Sequence, residues 1–262
     1  MTSPSAPSAA PYVVIPAHNE REALPGVIHE VRTAQPGAEI VVVDDGSTDG
    51  TAGLARRHGA DHVIVLPYNS GVGAALRAGL LYARRRGARA VVQCDADGQH
   101  PANAIAELVA GLGAADIVIG ARFTPGTRYR ARGPRALAMR LLAAIMSRLH
   151  RTKLTDATSG FRAFGPRAIA VLSRELPAQY LGDTIEALTI AKRARLAVRQ
   201  VPVQMRERQG GQASSGPFQS ALYLVRSGAI VCLSILRLVG ARLARRHGRG
   251  RGAGWTGEEA AE

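Results

Sequence analysis

The sequence predicts an α/β fold: a mostly parallel central sheet flanked by helices. Three observations carry that expectation. Short apolar, β-leaning runs alternate with segments of helical periodicity along the first half of the chain. The connections are short, so neighbouring strands are joined through crossover helices and run parallel. Several strand runs end in polar, Gly-rich stretches, and in open parallel sheets ligands bind beyond the carboxyl ends of the strands.

The elements follow in order. Tyr12 to Pro16 is a short apolar strand. Asn19 then reads as a helix N-cap with Glu22 three residues on, a capping-box pattern, and Leu24, Val27, Ile28 and Val31 form the apolar side of that helix. Glu39 to Val43 is a second strand, apolar throughout as a strand covered on both faces would be. It ends in Asp44-Asp45-Gly46-Ser47-Thr48-Asp49-Gly50-Thr51 and leads into a helix through His58. His62 to Leu66 is a third strand, and Asn69-Ser70-Gly71-Val72-Gly73-Ala74-Ala75 opens a helix running to Arg86. Ala90 to Cys94 is a fourth strand, followed by Asp95-Ala96-Asp97-Gly98-Gln99-His100-Pro101. Pro101, a favoured first-turn residue, starts the next helix, and Ile117 to Gly120 is a fifth strand.

Beyond Gly120 the regular alternation breaks. Arg122, Arg128, Arg130, Arg132 and Arg135 make a basic loop, and a helix from Ala136 to His150 has Leu137, Leu141, Leu142 and Ile145 on its apolar side. Asp156 to Phe164 reads as a turn into an edge strand, followed by helices at Pro166–Arg174 and Asp183–Arg195 and a strand at Ala197–Val203. Arg206 to Gly216 is a basic, Gly/Ser-rich loop, and Phe218 to Arg246 is one long helix. Its apolar run, Gly228 to Leu236, is far short of the ~20 residues a membrane span needs. With Arg242, Arg245 and Arg246 it reads instead as an amphipathic helix on an anionic membrane surface, the alternative being a helix packed on its own domain or on a partner such as a membrane-embedded protein. The organisation expected is a disordered leader (1–11), a principal domain (12–217), the amphipathic helix (218–247) and a disordered tail (248–262).

A chain of 262 residues has ample length to bury a core. Its formal charge of +14 is almost wholly arginine, with Lys153 and Lys192 the only lysines. That charge fits an anionic partner: nucleotide phosphates, a membrane surface or nucleic acid. Nucleic acid is disfavoured, because an aromatic content of 4% is thin for stacking bases and the acidic strand ends would repel a phosphate backbone. The two cysteines, Cys94 and Cys232, lie far apart and give no disulfide framework. Cys94, in an apolar strand end, reads as a small buried hydrophobe. The leader lacks a basic-then-apolar signal pattern, which points to the cytoplasm.

The Asp95/Asp97 pair is the organising feature. Residues i and i+2 of a strand point the same way, so both carboxylates can aim at one point past the strand end. Such a pair suits Mg²⁺ or Mn²⁺, whose coordination shell is often completed by substrate phosphates; an Asp-Gly turn with solvated carboxylates is the alternative. Pro16 to Glu20, Asp44-Asp45, Asn69 to Gly73 and Asp95 to Asp97 all fall on the same predicted sheet edge.

Four ordered segments carry a resemblance: Val14-Ile15-Pro16-Ala17-His18-Asn19-Glu20, Val43 to Thr51, Asn69 to Ala75, and Asp95 to Pro101. They resemble family 2 glycosyltransferases of the GT-A fold, above all the dolichol-phosphate mannosyltransferase branch and its bacterial polyprenyl-phosphate relatives. The likeness continues through Thr158-Ser159-Gly160-Phe161-Arg162, Glu186, Ala191-Lys192 and Val201-Pro202-Val203. It departs at His18, where the family usually has Tyr, and in Arg208 to Ser214, where the Ser is displaced by one.

The resemblance implies that Pro16, Asn19, Glu20, Asp44, Asp45, Asn69, Gly73, Asp95, Ala96 and Asp97 bind a nucleotide-sugar, Asp44 also fixing its own loop. It implies Asp95, Asp97 and Gln99 as ligands of Mg²⁺ or Mn²⁺, with His100 either assisting or serving as a cap or packing residue. It further implies Arg122, Arg135 and Arg208 as the acceptor-phosphate residues, and Asp97, Arg122, Arg208 and Glu186 as the catalytic set. The implied reaction is an inverting, metal-dependent transfer of a hexose from GDP-mannose or a UDP-sugar to polyprenyl or dolichyl phosphate. It would run on the cytoplasmic face of the cell membrane, the enzyme being peripheral there. A hydroxyl acceptor would need a base, with Asp183 or Glu186 available, although both also suit a helix N-terminus. A sugar nucleotidyltransferase is a further alternative, disfavoured because the first strand lacks a Gly-rich, Lys/Arg-bearing loop after it.

Overall fold

The structure is a computed structural model that describes residues 10–122, 133–177 and 183–206. One seven-stranded sheet runs through it in the order β3-β2-β1-β4-β6-β5-β7. The strands are β1 (Tyr12–Ala17), β2 (Glu39–Asp44), β3 (His62–Val65), β4 (Val91–Gln93), β5 (Ile117–Ala121), β6 (Arg162–Phe164) and β7 (Val198–Pro202). β1 pairs in parallel with β2 and with β4, β2 with β3, and β5 with β7. Among the described strands only β6 is antiparallel to its neighbours, lying between β4 and β5.

The helices are α1 (Leu24–Ala34), α2 (Thr51–Arg57), α3 (Val72–Arg85), α4 (Ile105–Gly111), α5 (Gly133–His150), α6 (Pro166–Glu175) and α7 (Asp183–Arg193). They form two layers, because the central strands are apolar on both sides. Val13 and Ile15 of β1 join Leu24, Val27, Ile28 and Val31 of α1, Ala55 of α2, and Ile105 and Leu108 of α4 in one core. Tyr12 and Val14 face the other way, toward Leu76 and Leu80 of α3, Met146 of α5, Leu172 of α6 and Leu188 of α7. This is the mostly parallel sheet with flanking helices that the sequence predicts.

The local differences have physical causes. The capping box does not form: α1 begins at Leu24, with Ala23 at its N-cap and no side-chain cap. Asn19 instead adopts a left-handed backbone (φ 53°) and its Oδ1 accepts the Thr48 N–H at 2.9 Å. Pro101 is extended rather than helical (ψ 117°) and precedes a short 3-10 turn, Ala102–Ala104, before α4. On α5, Leu141 points to solvent with 61% exposure, while Leu142, Ala143 and Met146 are buried. The apolar stripe is therefore rotated by about one position from the predicted one; the side chain of Leu137 lies outside the described residues. The 156–164 stretch leads not to an edge strand but into the interior of the sheet; Phe161, Ala163 and Phe164 are buried, which an edge would not require. No described helix is long and apolar enough to cross a membrane. The expected helix at 218–247, the 248–262 tail and most of the leader lie outside the described residues.

Two helical glycines give a paired test of this packing. A Cβ on Gly79 of α3 would sit 2.4 Å from Val14 Cγ1, whereas one on Gly26 of α1 meets nothing within 4 Å. Gly→Ala in a helix interior gains up to about 1 kcal/mol from propensity, and overpacking a core costs roughly 1–3 kcal/mol. Gly26→Ala is therefore expected to raise the urea midpoint. Gly79→Ala is expected to lower it, with partial recovery in Gly79→Ala/Val14→Ala.

Candidate active site at the carboxyl edge of the sheet

Chain order in the sheet switches at β1: β2 and β3 lie to one side, β4 to the other. The crevice beyond such a switch is where open α/β sheets bind ligands. The ends of β1, β2, β4 and β5 bring Ala17, Asp44, Gln93 and Ala121 to this edge, and β6 enters from it at Arg162.

The first two strand-end loops are stitched together. The Asn19 N–H donates to Ser47 Oγ at 2.9 Å, the Glu20 N–H to Thr51 Oγ1 at 3.1 Å, and the Arg21 N–H to Asp49 Oδ2 at 3.1 Å. Asp44, 2% exposed, accepts the Ser47 N–H at 2.9 Å, so it does fix its own loop. Asp45, 3% exposed, accepts the Ser70 and Gly71 N–H groups, one on each carboxylate oxygen, both at 2.7 Å. It thereby holds the Asn69–Gly73 loop against β2. Gly46 makes this approach possible: its φ is +67°, and a Cβ there would lie 2.5 Å from the Tyr68 carbonyl carbon. Pro16, Ala96 and Gly73 are buried in these walls, Glu20 is half-buried, and Asn69 is exposed at the rim. His18, exposed, contacts the Asp45 carbonyl oxygen through Nδ1 at 2.8 Å.

Across the switch, the Cys94 N–H makes the last bond of β4 to β1, donating to the Val14 carbonyl at 3.0 Å. Cys94 is fully buried, and burial pushes its thiol well above the ordinary range, consistent with a packing role. The Asp95 side chain is 38% exposed at the strand end, and Asp97 is 7% exposed. The Gln99 N–H closes a turn onto Asp97 Oδ1 at 3.0 Å. A Cβ on Gly160 would fall 3.1 Å from Asp95 Oδ2 and 3.3 Å from Gln93 Nε2, close enough that these side-chain ends would have to give by a few tenths of an ångström. Among the described residues no three His, Cys, Asp or Glu side chains converge into a metal group. Two carboxylates and an amide oxygen nevertheless fit Mg²⁺ or Mn²⁺, which usually take one or two protein carboxylates and fill the remaining positions with phosphate oxygens and water.

Arg122, at the end of β5, finds a partner that sequence reasoning does not identify. Its Nε and Nη2 grip Asp156 Oδ2 and Oδ1 at 2.7 and 3.0 Å, its backbone N–H adds a third bond at 3.1 Å, and Nη2 also reaches Thr158 Oγ1. Burial alone would raise the Asp156 pKa; the Arg122 hydrogen bonds and charge override it and hold the carboxyl below its usual value. Nothing in the sequence pairs two positions 34 residues apart, although Asp156-x-Thr158 is a local side-chain-to-backbone turn signal. Arg162 is likewise buried, its guanidinium donating to the carbonyls of Ser159, Ala157 and Thr184. Glu186 is half-buried on α7. Arg206 joins the post-β7 segment to the Asp95–Pro101 loop. Its N–H donates to the Gln99 carbonyl at 3.0 Å and its Nη1 to Glu30 at 2.8 Å, while Glu30 also accepts the Ala102 N–H. Arg208 and the side chains of Arg135 and Asp183 lie outside the described residues.

Asp156→Asn keeps the shape and removes the charge; hydrogen bonds to charged groups contribute about 1.5–3 kcal/mol, and a loss of that order is expected by urea unfolding at pH 7. A depressed carboxylate contributes stability that is present above its unfolded pKa of about 3.9. That contribution is lost as pH falls through the lower folded value, so the variant should show a shallower acid limb than the wild type.

The profile of Glycosyl transferase family 2 matches residues 12–176. The polyprenol monophosphomannose synthase of Mycolicibacterium smegmatis is 39% identical over 165 residues, 60% of this chain and 62% of that protein's length. The undecaprenyl-phosphate mannosyltransferase of Micrococcus luteus is 34% identical over 211 residues, 76% of this chain and 85% of that protein. Among solved structures, the glucosyl-3-phosphoglycerate synthase of Mycobacterium tuberculosis, crystallised with Mn²⁺, UDP and glucosyl-3-phosphoglycerate, superposes with a TM-score of 0.64 at 24% identity. The superposition covers 86% of this chain and 79% of that one. The sheet order, the acidic strand ends and these likenesses agree: the chain has the GT-A fold, belongs to glycosyl transferase family 2 and is a glycosyltransferase.

Proposed function

We propose that this enzyme transfers a hexose from a nucleotide-sugar, GDP-mannose or a UDP-sugar, to polyprenyl phosphate, inverting the anomeric carbon and releasing the nucleoside diphosphate. The observation that supports it best is the convergence of Asp44-Asp45, the Asp45-held loop and Asp95-Ala96-Asp97 on one edge of the sheet. The names of the two relatives above point to a polyprenyl-phosphate acceptor.

The nucleoside lies against Pro16, Asn19, Glu20 and the Asn69–Gly73 loop, with the lone pairs left on Asp45 offered to the base. The N-terminus of α3, preceded by Gly71 and without a side-chain cap, supplies positive dipole to the donor. Asp95, Asp97 and Gln99 would hold Mg²⁺ or Mn²⁺, which would supply positive charge against the negative charge growing on the departing diphosphate. Asp156 fixes the orientation of the Arg122 guanidinium, which with Arg135 and Arg208 meets phosphate oxygens. A phosphomonoester with a second pKa of about 6 is already largely ionised at neutral pH, so the acceptor attacks without a strong base. Glu186 then helps to position it. The 218–247 segment, basic and amphipathic, keeps the enzyme on the inner face of the membrane or against a membrane-embedded partner.

The test is a screen of labelled UDP- and GDP-sugars with polyprenyl phosphate, scored for organic-extractable, acid-labile product. A water-soluble product would overturn the lipid acceptor. Asp97→Asn is expected to cost at least about 100-fold in kcat, the scale for losing a transition-state charge stabiliser. EDTA should abolish turnover and Mn²⁺ or Mg²⁺ restore it; full activity of the EDTA-treated enzyme would remove the metal from the mechanism.

A further inference from the structure

His100 is a titratable side chain at this edge that the reaction above leaves unused, and its surroundings are unusually constrained. β4 ends its ladder at Cys94, so the next amide, that of Asp95, has no strand partner. The Asp95 N–H donates instead to His100 Nδ1 at 2.9 Å, closing the Asp95–His100 loop with a side chain from its far end. Because Nδ1 accepts, the ring proton sits on Nε2, 3.5 Å from Asp95 Oδ2. The same ring lies over Phe161 with centroids 4.8 Å apart and planes 21° from parallel. Phe161 is fully buried and follows Gly160, whose backbone lies close against the Asp95 carboxylate. Pro101 restricts the backbone of His100 to extended conformations, and the imidazole is 7% exposed.

We propose that His100 is a positioning residue for the cation site. By anchoring the Asp95 backbone and facing its carboxylate with Nε2–H, it keeps Asp95 and Asp97 aimed at one point and so sets the affinity for Mg²⁺ or Mn²⁺ bound with a nucleoside diphosphate. The proposal rests on the metal-dependent reading above. It also gives Phe161 a part in the site, since Phe161 stacks on the imidazole while its neighbour Gly160 lies against the carboxylate that the imidazole faces. Partners of metal ligands at this remove typically change affinity by about 10–100-fold when lost.

The experiment measures Mn²⁺ binding to the full chain by electron paramagnetic resonance with UDP or GDP present, alongside urea unfolding of each variant. His100→Gln can reach the Nε2 position but leaves the Asp95 N–H without its acceptor; His100→Asn places an amide oxygen near the Nδ1 position. Mn²⁺ affinity is expected to fall about 10–100-fold in His100→Ala and His100→Gln, with substantial recovery in His100→Asn and metal-free nucleotide binding unchanged throughout. If His100→Ala does not fold, the order of the Asn and Gln variants decides. Folded variants that all bind Mn²⁺ as the wild type does would overturn the role of His100 while leaving the metal site standing. A wild-type protein that binds no Mn²⁺ with either nucleotide would overturn the metal reading, and this proposal with it.

Discussion

The parallel pairing of β1 with both β2 and β4 is the constraint on which the site depends. It places the sheet's switch between the Asp44-Asp45 end and the Asp95-Ala96-Asp97 end, so two acidic loops from distant parts of the chain open into one crevice. The pairing is possible because β1 is apolar on both faces and Gly79 lets α3 lie directly on Val14. A bulkier helix face would lift α3, and with it the Asn69–Gly73 loop that Asp45 holds.

A strongly basic chain concentrates buried acids at this edge. Asp44, Asp45, Asp97 and Asp156 are each almost fully buried, and each accepts hydrogen bonds from backbone N–H groups. Buried carboxylates are tolerable only when so satisfied. The consequence is a set of negative groups whose geometry is fixed before any ligand arrives, within a protein whose net charge attracts phosphates. Preorganisation of this kind lets little reorganisation accompany the chemistry.

Much of this is legible in the sequence, because short continuous apolar runs, Gly-rich strand ends and the Asp-x-Asp pair are local signals. The strand positions agree within a residue or two, and the apolar face of α1 is the expected Leu24, Val27, Ile28 and Val31. Sequence reading fails where a tertiary partner overrides a local preference. Asn19 looks like a cap, but its side chain serves Thr48 on another loop. Leu141 looks like core, but the helix turns it outward. The Arg122–Asp156 pair and the Glu30–Arg206 bridge join positions that no local pattern relates, and β6 reads as an edge because nothing in Arg162-Ala163-Phe164 announces strands on both sides.

That placement of β6 bears on how the chain reaches its native state. β4 and β5 are neighbours in sequence but not in space; each must wait for Arg162–Phe164 to supply the ladder between them, and β5 must also wait for Val198–Pro202. As the polypeptide leaves the ribosome, the β1–β4 half can assemble first, from its own nearest elements. Until the later strands emerge, β4 and β5 present open hydrogen-bonding edges to any strand within reach. Completion of the Asp95–Asp97 side of the crevice, beside Gly160 and Phe161, thus waits for the second half of the chain, and a chain halted before β6 would hold its first strand-end loops without their counterpart across the switch.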